Sequence, residues 1–185
     1  MAIIAVGSNS KDFEPMPIGN HQAVCAFVED IGTHESSYQG KPVKNHQIVV
    51  CWELNEKMTE GDNAGKPFMI SKFYTLSLHE KANLRKDLES WRGRAFTDIE
   101  LDGFDVEKLI GANCLLNIIE HTKQDGSKFA KVSSISPIIK DMVKIQPINK
   151  ITPEWIDKKR SQSLEYFGEG DINIDQTPQD DSLPF

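Results

Sequence analysis

The sequence predicts a mainly β fold of five strands, with a helix inserted between the third and the fourth. Apolar, β-branched stretches of strand length recur between turn signals, and one stretch switches to helical spacing. The size agrees: 185 residues, 38% hydrophobic and 26% charged, suit one domain with a core and extra length at its ends.

Residues 22–31 (Gln-Ala-Val-Cys-Ala-Phe-Val-Glu-Asp-Ile) form the first strand, which Gly32 closes. The polar stretch 33–45, with Gly40 and Pro42, reads as a loop. In 46–54, Ile48, Val50, Trp52 and Leu54 alternate with mostly more polar neighbours, the pattern of a strand with one buried face. A glycine-bounded turn at 61–65 leads to a third strand at 67–78, with Ile70, Tyr74, Leu76 and Leu78 on one parity and Met69, Phe73 and Thr75 on the other.

Ser77 and Glu80 have capping-box spacing, Leu84, Leu88 and Trp91 recur at helical spacing, and Gly93 is a stop, which together predict a helix over 79–92. A short helix near 105–110, closed by Gly111, precedes a fourth strand at 113–121. Asp125-Gly126 then turns the chain into a fifth strand at 128–136. Five strands in this order, with the helix after the third, are the connectivity of an OB-fold, a partly open Greek-key barrel. The expected organisation is an N-terminal extension at 1–20, the barrel at 21–140, an extension packed on it at 141–164 with one helical turn at 153–159, and a tail at 165–185.

The net charge of −7 is unevenly placed. Six of the 28 acids (Glu165, Glu169, Asp171, Asp175, Asp180, Asp181) and none of the 21 bases lie in 161–185, which leaves the body at −1. The tail lacks any helical or alternating period and is expected to be a disordered, solvated acidic segment. No apolar run approaches a membrane span, and the first six residues have no basic flank for a signal peptide, so a cytoplasmic protein with no membrane partner is expected. Cys25, Cys51 and Cys114 are widely spaced within apolar stretches and read as reduced core residues.

Motifs for chemistry are incomplete. Gly61-Asp-Asn-Ala-Gly-Lys-Pro67 is one residue short of a phosphate loop and has Pro67 where a Ser or Thr would hold magnesium. Asp98, Glu100 and Asp102 begin a calcium-loop pattern whose twelfth position is Leu109 rather than Glu. The five histidines (His21, His34, His46, His79, His121) are scattered, with no nucleophile in a recognisable context. The reading is a non-enzyme that needs no cofactor and no metal.

A binding surface remains. Single-stranded nucleic acid requires cations along the phosphates and aromatic faces for the bases. The expected binding residues are Tyr38, Lys41 and Lys44 in the first loop, Lys72, Phe73 and Tyr74 on the third strand, and Lys123, Lys128, Phe129 and Lys131 around the last hairpin. Phe73 and Tyr74 point to opposite faces, so a regular strand buries no more than one of them. Trp52 and Trp91 read chiefly as core.

Asp180-Asp181-Ser182-Leu183-Pro184-Phe185 resembles the acidic tip of bacterial single-stranded DNA-binding proteins. The body, in Thr75-Leu-Ser-Leu-His-Glu-Lys-Ala-Asn-Leu-Arg-Lys-Asp-Leu88, Trp91-Arg-Gly-Arg94 and Val106-Glu-Lys-Leu-Ile-Gly111, resembles the phage-encoded members of that class and their prophage relatives. The resemblance spans about residues 21–140 plus the tip. It implies an OB-fold protein that coats single-stranded DNA in phage replication or recombination, in the cytoplasm of a bacterial host. It also implies recruitment of replication, recombination or repair proteins through Asp180, Asp181, Leu183, Pro184 and Phe185, and homo-oligomers are compatible with it. The alternatives are an OB-type adaptor for protein or RNA, and a nuclease using Asp98, Glu100 and Asp102.

Overall fold

The computed structural model describes residues 14–38 and 40–164. The acidic tail and its tip, and residues 1–13 of the N-terminal extension, lie outside the described residues. The elements run β1 (Gly19–Tyr38), β2 (Lys41–Lys57), β3 (Pro67–Thr75), α1 (Asn83–Arg92), α2 (Asp98–Asp102), β4 (Asn113–Thr122), β5 (Lys128–Ser136) and α3 (Glu154–Ser161), with 3-10 turns at Gly61–Asn63 and Val106–Leu109. The strands form one antiparallel sheet in the order β3-β2-β1-β4-β5. It curls until its two edges, β3 and β5, approach each other, with no ladder joining them among the described residues.

Alternation along the strands sorts side chains onto two faces. Ile48, Val50, Trp52 and Leu54 of β2, with Phe68, Ile70 and Tyr74 of β3, turn into the main core, where Leu84, Leu88 and Trp91 of α1 cover them. The Trp52 and Trp91 rings meet there with centroids 5.9 Å apart. The opposite face is also covered: Ala26, Phe27, Ile31, Val49 and Cys51 pack around Ile156 of α3. Among the described residues no helix is long and apolar enough to cross a membrane.

Three local expectations need correction. Gly32 does not end the first strand. β1 runs on to Tyr38, because Gly32 sits in a bulge at φ 80°, its N–H donating to Asp30 Oδ1 at 2.7 Å, and the ladder resumes one residue out of step. The polar stretch 33–45 is therefore the end of a long hairpin, with Tyr38 paired to Lys41. β3 pairs with β2 only as far as Gln47, which leaves this end of the hairpin two-stranded.

The helix starts at Asn83 rather than at His79. Ser77 Oγ accepts the His79 N–H at 3.1 Å and closes a tight local turn instead of capping. The capping box that does form joins Thr97 and Glu100 at the start of α2, a helix the sequence reading lacked. Gly93 ends α1 at φ 68°, and a β-carbon there would meet Pro137 Cγ at 3.2 Å.

Candidate nucleic-acid interface

On β3, period-two alternation places Phe73 on the outer face, 45% exposed, and Tyr74 in the core, 4% exposed. Tyr74 donates its hydroxyl to Asp87 Oδ2 at 2.7 Å, and the same oxygen accepts from Lys72 Nζ at 2.6 Å. Burial, then the Asp87 charge, pushes the Tyr74 phenol well above its ordinary pKa. Tyr74 is thus a core residue with no ring face open to a base, and Lys72 is anchored beside it.

Lys72 nonetheless matters for the far edge of the sheet. On β5, burial and then the Lys72 charge lower the pKa of Lys131. Lys131 thus lies near Lys72, whose charge Asp87 already balances, where β3 approaches β5. Two residues before Lys131, on the same face of β5, Phe129 is 39% exposed. Its strand partner His121 meets it edge-on with centroids 5.1 Å apart, and Lys123 Nζ lies 5.3 Å from its ring centroid. The Asp125-Gly126 turn presents this group: Gly126 N donates to Lys123 O at 2.9 Å, and Ser127 N to Asp125 Oδ1 at 2.9 Å.

The other expected binding residues lie elsewhere or are already engaged. Lys128 forms an exposed ion pair with Glu120 at 2.7 Å, and Glu120 raises its pKa. Lys44 stands opposite Glu35 across the long hairpin, and Lys41 opposite Tyr38, whose side chain lies outside the described set. Asp180, Asp181, Leu183, Pro184 and Phe185 lie outside the described residues altogether.

Residues 141–164 lie against the sheet, tied to it by side chains of β1, β2 and β4. Gln22 Nε2 donates to Val143 O at 2.6 Å, and Asn113 both accepts from Ile145 N and donates to Ile145 O, each at 2.8 Å. The buried carboxylate of Glu53 then accepts from Ile148 N, Asn149 N and Asn149 Nδ2 at 2.7–2.8 Å. Beyond this strap, α3 crosses β1, held by Ile156 below and by Arg160, which donates to Glu29 Oε2 and Asp30 O, each at 2.9 Å. The strap and α3 therefore cover the outer face of β1 and β2. Trp155, at the start of α3, reaches Phe73 with ring centroids 6.0 Å apart and planes inclined by 63°. The signal for this cover was present in Ile48-Val-Val-Cys-Trp52, an unbroken apolar run that only a strand buried on both faces requires.

Of the three acids on α2, Glu100 is engaged within the fold, while Asp98 and Asp102 are exposed. Glu100 accepts from Arg94 Nη2 at 2.8 Å, from Thr97 N at 3.0 Å and from Arg92. The Arg94 bond, then the Thr97 N–H, drives its pKa well below the carboxylate range. Among the described residues no group of three His, Cys, Asp or Glu is placed to hold a metal ion. A comparison with protein-family models finds no match to this chain, and a comparison with curated proteins finds none either.

Proposed function

We propose that this protein binds single-stranded DNA, without strong sequence preference, along the region where β3 and β5 approach. The observation that carries the reading is the exposed Phe129 with Lys123 at its ring and Lys131 two residues along the same strand face, across from the edge strand that exposes Phe73. Clustered cations supply the salt-sensitive attraction to phosphates, and each exposed ring offers a stacking face worth about 1–3 kcal/mol per base. The curled five-stranded sheet supports an OB-type barrel, whose usual ligands are oligonucleotides and oligosaccharides. The resemblance in Thr75–Leu88 and at the acidic tip supports a role in phage or prophage replication or recombination, with the tip recruiting partner proteins.

The cover on β1 and β2 shifts the expected contact away from the middle of the outer face and toward the β3 edge and the β4–β5 hairpin. An adaptor that meets protein instead is the second reading, favoured by Val143 and Ile151 on the strap, 81% and 85% exposed. Anisotropy of a labelled dT oligomer, titrated with the full chain at two salt concentrations beside duplex DNA and RNA of the same length, separates them. Binding to dT that weakens with salt and falls in Phe129→Ala is expected. No binding to any nucleic acid would leave the adaptor.

A further inference from the structure

Three tryptophans are present, and two are spent on the core: Trp52 is fully buried and Trp91 is 6% exposed. Trp155 is different. It leaves 41% of its surface in water although α3 needs no further anchor, since Ile156 is fully buried beneath the helix and Arg160 ties it to β1. Its ring partner Phe73 is equally open. In an edge-to-face pair one ring contributes its edge, so its own faces stay available to a third ring.

The charge around this pair matches a polyanion. Lys158 and Lys159 lie three and four residues beyond Trp155 and flank it on the helix surface, while Asp157 is turned to Arg160 at 2.8 Å. Glu154 occupies the first turn, where the helix dipole favours an acid. Phe73 stands on the outer face of β3, whereas Lys72 turns to the other face and is held by Asp87, so the cations beside the ring pair are those of α3.

We propose that Trp155 and Phe73 form a nucleobase-stacking platform built jointly by α3 and β3, so that the segment 141–164 is part of the surface that holds single-stranded DNA. This inference rests on the reading above and extends the contact beyond the barrel strands. Trp155 is also the tryptophan whose emission a stacked base would quench.

The test uses the full chain with a dT oligomer. Trp155→Ala is expected to weaken dT binding by about 5- to 150-fold, the range a lost base stack implies. Trp155→Phe should retain most of the affinity while losing the fluorescence quench that the wild type shows on saturation. Lys158→Ala with Lys159→Ala should lower the slope of log affinity against log salt by about 0.7 per lost phosphate contact. Phe129→Ala serves as the reference, with a urea midpoint for each variant to exclude unfolding. If Phe129→Ala weakens binding while Trp155→Ala and Phe73→Ala do not, and wild-type emission is unchanged on saturation, the platform is refuted and the β3–β5 reading stands. If the wild type does not bind dT, both are refuted.

Discussion

Glu53 Oε1 accepts both the backbone N–H and the side-chain amide of Asn149, at 2.8 and 2.7 Å, although 96 residues separate the two in the chain. A carboxylate 1% exposed in the middle of a strand would be costly alone; here its two oxygens take three donors, including Ile148 N. Glu53→Ala leaves two backbone N–H groups without their acceptor. It is expected to cost about 2–4 kcal/mol in urea unfolding and to open residues 141–153 to proteolysis. An unchanged midpoint with no new cleavage would remove the anchor role.

The cysteines yield a chemical prediction. Cys25, Cys51 and Cys114 are at most 1% exposed. Burial, then the Glu29 charge, pushes the Cys51 thiol up to about 12, and burial raises Cys25 and Cys114 as well. A disulfide-exchange reagent at neutral pH should label the folded chain very slowly and all three thiols at once in denaturant. Rapid labelling of folded protein would contradict the packing around β1, β2 and β4.

Tyr74 makes alkaline stability testable. Its folded pKa lies above the unfolded value of about 10, so its contribution is complete below that pH and is lost as pH rises through the folded value. Relative to Tyr74→Phe, the wild type should therefore lose stability above about pH 10, and the two pH profiles should run parallel below it. Parallel profiles throughout would mean that the phenol is not held neutral beside Asp87.

Glu100 works in the opposite direction. Its folded pKa is depressed by Arg94, Thr97 and Arg92, so its contribution is present above the ordinary carboxylate pKa of about 4 and is lost as pH falls through the depressed value. Melting temperature should drop on acidification in the wild type and more shallowly in Glu100→Gln, which already lacks the charge. Equal slopes would show that the two arginines do not hold this carboxylate in solution.

Strand content was legible because it depends on near neighbours. The alternation in Ile48, Val50, Trp52 and Leu54, the Asp125-Gly126 turn and the stop at Gly93 are signals within one or two turns of chain, and all recur in the structure. Errors arose where two local signals competed. Ser77–Glu80 and Thr97–Glu100 both have capping-box spacing, and only the second has the arginines that hold its glutamate in place. Gly32 looks alike as a terminator and as a bulge, because the difference lies in the register of the partner strand.

The candidate site was legible in kind but not in arrangement. Lysines and aromatics could be counted along β3 and the β4–β5 hairpin, yet parity alone did not say whether Phe73 or Tyr74 would face water. Asp87, on α1, decided it by taking the Tyr74 hydroxyl into the core. The approach of β3 to β5 needed the sheet to curl its edges together, and Trp155 reached Phe73 only because Glu53, Asn113 and Arg160 lay the C-terminal segment across the outer face. Sequence by itself determined that five strands form with the main helix between the third and the fourth, since backbone preference and side-chain period act over a few residues. Tertiary structure alone decided which segment covers the outer face and which rings stay open, since that depends on contacts between segments about a hundred residues apart.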